Sequence, residues 1–520
     1  MMRTACAVLL TRYNRCHSNG GVLGNGDFSQ FKWFAGMSTD QSPAEVVIAL
    51  GSNMDDRVGN LTGAIQSLRR KGVEMVLCSS LYESKAAYVV DQPDFLNAAV
   101  LARTSLSPLK LLEVLKHTEK EFGRNLESGI RFGPRPLDLD IIAYGTETRK
   151  EAPLIIPHER WGERDFVKAP VSDLARFDFH ARHSTTDDSR TVKGFLKDVL
   201  SAWMNEGGDS RIGAKGLQRV TPLGGVSRSP GQQEKKVRTS GGETVVMGVL
   251  NVTPDSFSDG GKFFSMESAL AQAKELISKG ADIIDIGGQS TRPGATLLSP
   301  DEESERVVPL IKALAVDPIT SDALISIDTF YSRVARDAVG EGAKIINDVS
   351  GGTLDDGMLN CVASLGVPYV CMHMRGTPQT MQSKEFTEYD NICLDVGREL
   401  QQRAESAMLA GIPAWNIILD PGIGFAKTHT GNLDLIRGLA DLKDHGLLGT
   451  CRHMPILAGA SRKGFLGSIV GKKKPEDRDV ATAAVTVACV QGGAEIIRAH
   501  NVEFARDASR VADALYRGGR

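Results

Sequence analysis

At 520 residues the chain is too long for one ordinary core, so two or more domains are expected. A hydrophobic content of 41% with 24% charged residues is that of a globular protein, and the net charge of −3 gives no general pull toward nucleic acid or an anionic membrane. The eight cysteines (Cys6, Cys16, Cys78, Cys361, Cys371, Cys393, Cys451, Cys489) form no C-x-x-C pair, which argues against a zinc or disulfide framework and fits a reducing compartment.

No apolar stretch is long enough to span a bilayer. Residues 1–40 differ from everything that follows. Up to Met37, Arg3, Arg12, Arg15 and Lys32 oppose a single acid, Asp27, among Ser, Gly and apolar residues. An acid-poor, Arg-containing N-terminus resembles an organellar transit peptide, and the mitochondrial matrix is the expected address. A disordered tail, a plastid or a cytosolic start at Met37 are the alternatives.

From Glu45 the order reads strand (Val46–Leu50), G-S-N, helix to about Arg70, strand-like runs Val73–Glu83 and Phe95–Arg103, helix from about Pro108 to Phe122, and strand Leu137–Tyr144. That β-α-β-β-α-β order predicts a ferredoxin-like α+β sandwich. In its last strand, R-F-G-P-R-P-L-D-L-D-I-I, residues two apart share a face, so Asp138 and Asp140 present two carboxylates together. Alone, D-x-D fits a solvated acidic edge. With Arg131 and Arg135 beside it, the pair suits Mg²⁺ and guanidinium recognition of a nucleoside triphosphate.

G-S-N (Gly51–Asn53), D-Q-P-D-F-L-N-A-A-V (Asp91–Val100), G-P-R-P-L-D-L-D and I-P-H (Ile156–His158) also occur in this order. Residues 44–222 thereby resemble hydroxymethyl-dihydropterin pyrophosphokinases. The resemblance implies that Asp138 and Asp140 hold Mg²⁺ on ATP. It also implies that Phe95 and Phe166 sandwich the pterin with Asn97 at its edge, and that Glu119, Arg131, Arg135, His158 and Arg164 contact ATP. Phe132 stands where the family often has Trp, and loop Gly123–Gly129 carries one basic residue, Arg124.

An amphipathic helix (Val192–Met204) closes this domain, and the Gly, Ser, Pro and charged residues of 223–240 predict a flexible linker. From residue 241 strand–helix alternation repeats. Strands are predicted at Val246–Asn251, Ala281–Ile286, Leu324–Asp328, Lys344–Asp348, Tyr369–His373, Asn416–Asp420, Met454–Gly459 and Glu495–His500. The rhythm predicts a (β/α)₈ TIM barrel, with a doubly wound sheet as the alternative. Nearly every strand ends polar: Asn251, Asp285, Asp328, Asn347–Asp348, His373, Asp420, then Ser461–Lys463 and Arg498–His500. In a barrel these ends share one rim, so a binding cleft is expected there, with acceptors and amides for a ring and cations for an anion.

N-V-T-P-D-S-F-S-D-G-G (Asn251–Gly261), G-G-Q-S-T-R-P-G-A (Gly287–Ala295), S-I-D-T (Ser326–Thr329), I-I-N-D (Ile345–Asp348), D-P-G-I-G-F-A-K (Asp420–Lys427), S-R-K-G-F (Ser461–Phe465) and R-A-H (Arg498–His500) make residues 241–520 similar to dihydropteroate synthases. Gln289 replaces the glutamate common in bacterial members. The resemblance implies a pterin site of Asp328, Asn347, Asp420, Phe425 and Lys463, with Met374 nearby. It implies a pyrophosphate and p-aminobenzoate site of Asn251, Thr291, Arg292, Ser461, Arg462, Arg498 and His500, with Asn251 completing a Mg²⁺ shell.

The whole chain resembles plant-type bifunctional folate enzymes. Implied are ATP-dependent pyrophosphorylation of 6-hydroxymethyl-7,8-dihydropterin and condensation of the product with p-aminobenzoate, without nucleic acid or membrane. The groups implied in catalysis are Asp138, Asp140, Arg135, Arg164, Lys463, Arg498 and His500. A homo-oligomer through the barrel is expected by analogy. Methyl transfer on a pterin-binding barrel, or a binding protein with one inactive domain, are the alternative readings.

Overall fold

The computed structural model describes residues 43–87, 91–125, 133–177, 191–213, 216–224, 235–239, 241–252, 266–292, 294–321, 323–444 and 448–518. The expected transit stretch, Arg131, and the loop from Thr253 to Gly261 lie outside them.

The first domain runs β1 (Ala44–Ser52), α1 (Arg57–Arg70), β2 (Val73–Cys78), β3 (Leu81–Ser84), β4 (Phe95–Thr104), α2 (Pro108–Glu121) and β5 (Asp138–Tyr144). The order is the predicted one, with the run 73–83 divided into two strands. The break has a cause: the Ser79 hydroxyl, in place of its carbonyl, accepts from the Ala99 amide, and the Ser80 amide goes to Asp173 and leaves the ladder. Asp56 caps α1 and Ser107 caps α2, with Pro108 in the first turn where its missing N–H costs nothing.

Beyond β5 come β6 (Arg149–Glu151), β7 (Leu154–Ile156), α3 (Asp165–Phe177), α4 (Val192–Asn205), β8 (Leu217–Pro222) and β9 (Lys236–Arg238). The antiparallel sheet has the order β5-β1-β4-β3-β8-β9, with β2 also on β4. Along β1 the side chains alternate: Val46, Ile48 and Leu50 pack with Leu61, Leu68 and Leu115 of α1 and α2, while Val47 faces the core containing Leu174 and Leu196 of α3 and α4. Burial on both faces explains why β1 reads as an apolar run instead of alternating with polar residues.

The second domain runs β10 (Val245–Asn251), α5 (Met266–Ser278), β11 (Ile283–Gly287), α6 (Pro300–Val316), β12 (Leu324–Asp328), α7 (Ser332–Gly340), β13 (Ile345–Asp348), α8 (Met358–Leu365), β14 (Tyr369–Met372), α9 (Lys384–Thr387), α10 (Ile392–Leu409), β15 (Ile417–Asp420), α11 (His429–Arg437), α12 (Leu439–Asp444), β16 (Leu457–Ala458), α13 (Gly464–Val470), α14 (Asp479–Gln491), β17 (Ile496–Ala499) and α15 (Val502–Tyr516). Its eight parallel strands follow the order β15-β14-β13-β12-β11-β10-β17-β16, and a Leu419–Ile456 bridge nearly closes the ring. The barrel of the sequence reading is the fold found. Inside it, Met247, Ile283, Leu324, Ile345, Val370, Ile418, Leu457 and Ile496 fill one layer.

That layer also takes in Leu223 and Val237. The stretch expected as linker is therefore structured at both ends. Leu223 follows β8, Val237 sits in β9, and both seat in the barrel's base, where strands begin. The junction has further contacts. Trp415, just before β15, is 1% exposed and packs among the first domain's core residues. Arg69 donates to the Gly411 carbonyl at 3.2 Å, and Asp209 receives Arg452 at 3.3 Å and His453 at 3.1 Å. Truncating Trp415→Ala removes the barrel's largest side chain from the other domain's core. A loss of about 3–5 kcal/mol in unfolding free energy is expected from chemical denaturation, and an unchanged midpoint would show that the two cores do not stabilise each other.

Candidate functional sites

The first domain holds a cleft of about 270 Å³ where β1 ends and β4 and β5 begin. Gly51 on β1 pairs with Asn97 on one side and Asp138 on the other. A Cβ at Gly51 would lie 3.8 Å from both side chains, so the glycine of G-S-N keeps the floor between them open. Asn53 then ties three loops together. Its amide donates to Gln92 and the Pro93 carbonyl at 3.0 Å, and its oxygen accepts from the Arg135 amide at 2.8 Å.

Phe95, Asn97, Arg135, Asp138, Asp140, His158, Arg164 and Phe166 all line this cleft. Asn97 donates to Ser84 Oγ at 3.0 Å and the Tyr82 carbonyl at 3.3 Å, which fixes its amide and leaves its oxygen toward the cleft. The Arg164 guanidinium lies 5.8 Å from the Phe166 ring centre.

The two aspartates differ. Burial opposes ionisation of Asp138, but Arg124 and Arg135, the latter at 3.1 Å, outweigh it and hold the carboxyl below its usual range. Burial and the neighbouring Asp138 raise Asp140, whose nearest cation, Lys116, is 3.9 Å away. Glu119 sits beneath the cleft, fully buried. It accepts from the Leu139 amide at 2.8 Å and binds Lys116 and Arg124, each at 2.7 Å. Lys116 and Arg124 are site residues that the motif reading did not assign. A lysine three residues before a buried glutamate on one helix face was the available signal.

At the barrel's opposite end, the C-terminal ends of the strands surround a cleft of about 1130 Å³. Its walls bring together Asn251, Thr291, Arg292, Asp328, Phe425, Ser461, Arg462, Lys463, Arg498 and His500 with the unassigned Gln289, Ser290 and Lys427. Asn347 and Asp420 are buried in the strand ends beneath.

Arg498 organises the floor, donating Nε to Asp285 and a terminal nitrogen to Asp328, each at 2.6 Å. Asp285 also accepts from Asn347 Nδ2 at 3.0 Å. The sequence reading saw Asp285 only as a strand end. A carboxylate inside the apolar run I-I-D-I-G was the signal that a cation had to meet it. Burial pushes Asp328 up to about 7 against the pull of Arg498, with Asp285 adding to the rise, and its Oδ1 has no partner among the described residues. Burial and Arg498 bring Lys463 down to about 7 while Asp420 opposes this; its ammonium lies 4.4 Å from the Phe425 ring centre and donates to the Ile423 carbonyl.

His500 is driven down to about 3 by burial and by Arg498, Arg462 and Arg292, so it is neutral, with Nδ1 3.0 Å from the Ser461 hydroxyl. Arg462 lines the cleft, but its guanidinium is held by Asp479 at 2.6 and 2.8 Å. His373 departs from the expected rim. It is fully buried between Glu399, at 3.0 Å, and Lys427, at 3.2 Å, because the strand ends one residue earlier and the ring turns into the helix shell.

Residues 247–500 match the family described as pterin binding enzyme, and residues 47–176 match 7,8-dihydro-6-hydroxymethylpterin-pyrophosphokinase. The chain is 46% identical over 504 residues to a mitochondrial folate synthesis bifunctional protein of Arabidopsis thaliana, covering 95% of this chain and 87% of the relative. It is 48% identical over 479 residues to the like-named protein of Pisum sativum, covering 91% and 89%. A dihydropteroate synthase of Synechocystis is 45% identical over 277 residues, 53% of this chain and 92% of that protein. Two clefts of different chemistry, two family matches in the same order and relatives aligned over nearly their whole length lead to one conclusion: the chain belongs to the bifunctional folate synthesis proteins, with a pyrophosphokinase domain followed by a dihydropteroate synthase domain.

Proposed function

We propose that the first cleft transfers pyrophosphate from ATP to 6-hydroxymethyl-7,8-dihydropterin, and that the barrel joins the product to p-aminobenzoate. The observation that carries this is the charge layout. One cleft pairs two carboxylates with arginines beside an aromatic and amide slot; the other sets carboxylates beside a neutral histidine, Lys463 and Arg498.

In the first reaction the pterin lies between Phe95 and Phe166 with its edge on Asn97, an arrangement suited to a planar heteroaromatic. Its primary hydroxyl oxygen bonds to the β-phosphorus of ATP, the bond to the α-phosphate oxygen breaks, AMP leaves, and the hydroxyl proton passes to solvent. Arg135 and Arg164 orient the phosphates, His158 lies at the same wall, and Glu119 acts from below by holding Lys116 and Arg124. Among the described residues no cluster of three or more His, Cys, Asp or Glu is placed to hold a metal. Two carboxylate donors fit Mg²⁺ that takes its other ligands from phosphates and water. Bound between Asp138 and Asp140, that ion would neutralise charge on the triphosphate. Catalysis by the chain itself is positioning and electrostatic complementarity.

In the second reaction the pterin's N–H groups meet Asp328, Asn347 and Asp420, with Lys463 and Phe425 along its faces. The bond from the pterin methylene to the pyrophosphate oxygen breaks, the p-aminobenzoate nitrogen bonds to that carbon, and the amine loses a proton. Lys463, Arg498 and His500 receive the departing pyrophosphate, Asn251 and Ser461 line its place, and Thr291 and Arg292 meet the p-aminobenzoate carboxylate. Arg462 supports this wall from its bond to Asp479. The acid-poor N-terminal sequence, and the relatives named mitochondrial, support a mitochondrial address.

The barrel exposes apolar side chains on its last helices, with Val480 74% exposed and Leu515 64% exposed beside Phe504, Val511 and Tyr516. An apolar face of this kind supports self-association.

Two outcomes are expected. With both substrate sets supplied to the full chain, Asp138→Ala abolishes AMP and dihydropteroate together, while Lys463→Ala spares AMP formation and lowers dihydropteroate by at least about 100-fold. Retention of dihydropteroate synthesis by Lys463→Ala would remove that residue from the site. In sedimentation velocity the wild-type chain is expected to run as a dimer and Val511→Glu/Leu515→Glu as a monomer; identical profiles would move the interface elsewhere.

A further inference from the structure

The segment 288–299, which joins β11 to α6, carries Thr291 and Arg292 over the barrel's mouth. Its two feet meet at one buried side chain. Glu303, in the first turn of α6, is completely buried. Its Oε2 accepts from Gln289 Nε2 at 2.9 Å and from Thr329 Oγ1 at 3.0 Å. Gln289 returns its own oxygen to the Leu298 amide at 3.3 Å, and the Leu298 carbonyl accepts from the Tyr331 hydroxyl at 2.8 Å. Tyr331 closes the circuit by donating its amide to Thr329 Oγ1 at 3.2 Å. Gln289 and Leu298, near the two ends of the segment, are thus joined to each other and to the end of β12, immediately after Asp328. Room for the knot comes from Gly288, where a Cβ would meet Val307 at 2.8 Å and Glu303 at 2.9 Å.

We propose that Glu303 is a positioning residue of the dihydropteroate synthase site: through Gln289 and Thr329 it holds segment 288–299 in the pose that presents Thr291 and Arg292 to the carboxylate of p-aminobenzoate. Glu303 itself touches no substrate. The inference rests on the assignment of Thr291 and Arg292 given above. Burial opposes ionisation of Glu303, and the hydrogen bonds from Thr329 and Gln289 favour it. Burial raises the Glu303 carboxyl to about 8, and the charge of Asp328 adds to the rise. The charged and titratable groups that face it are Asp328 at the end of β12, Arg306 on α6 and Tyr331 after β12. Its second oxygen has no partner among the described residues, so an ionised carboxylate would be poorly solvated there. An amide in place of the acid keeps an oxygen to accept from Gln289 and Thr329.

Steady-state kinetics on the full chain test this, with p-aminobenzoate and the pterin pyrophosphate varied separately and AMP formation measured in parallel. Glu303→Ala is expected to raise KM for p-aminobenzoate about tenfold, with kcat, KM for the pterin pyrophosphate and AMP formation near wild type. Glu303→Gln restores wild-type KM. Gln289→Ala, which cuts the segment from Glu303 and leaves the Glu303–Thr329 bond, reproduces the raised KM and serves if Glu303→Ala does not fold. Arg292→Ala is the reference. A raised KM for Arg292→Ala with unchanged KM for both Glu303→Ala and Gln289→Ala overturns the positioning role. So does loss of kcat in Glu303→Gln. An unchanged KM in Arg292→Ala overturns the underlying assignment instead.

Discussion

Charge removed from water has to be matched inside the protein, and at the barrel's mouth that requirement falls on Arg498. Its side chain reaches from β17 across β10 to Asp285 on β11 and Asp328 on β12. A planar fork can serve two carboxylates at once, which a lysine ammonium on a single point could not do with the same geometry. Asp285 in turn fixes Asn347 on β13. One ionic knot therefore sets the ends of four strands, and two of the groups that it sets, Asp328 and Asn347, are those proposed to meet the pterin. Folding and recognition share the same bonds.

The pyrophosphokinase cleft solves the same problem with mobile cations. Asp138 and Asp140 lie two residues apart on one strand and repel each other, and Arg124 and Arg135 hold the first of them. Arg124 belongs to the loop after α2 and bonds Glu119 as well. The cleft thus carries its own charge balance, with Lys116, Arg124 and Arg135 set against Asp138, Asp140 and Glu119.

Much of this was legible in the sequence because it is written locally. Strand and helix periods placed all eight barrel strands to within a few residues, and polar strand ends named the rim. The misses share a physical origin. Asp285 and Glu303 act through partners 14 to more than 200 residues away, such as Asp285 with Arg498, and Lys116 joins a glutamate only three residues on whose burial the helix period alone does not give. His373 followed the strand-end rule and failed it, because one residue of extra strand or loop decides whether a side chain faces the mouth or the helices. Residues 223–240 have the composition of a linker, yet two apolar side chains, Leu223 and Val237, were enough to seat its ends in the barrel.

That seating decides how the two reactions can be connected. Leu223 and Val237 pack against Val245, Ile283, Leu324 and Ile345, residues at the starts of their strands. The pyrophosphokinase domain therefore closes the barrel's base, while the dihydropteroate synthase cleft opens where the strands end. The interior between them is a packed layer of branched side chains, as in barrels generally, and offers no passage. A pterin pyrophosphate made in the first cleft must leave it and travel around the outside of the barrel. Trp415, Arg69 and the Asp209 cluster hold the two domains together on the face opposite the second cleft. Joining the two activities in one chain then secures matched amounts of both sites and proximity of their surroundings, and it leaves the second cleft open to intermediate arriving from solution.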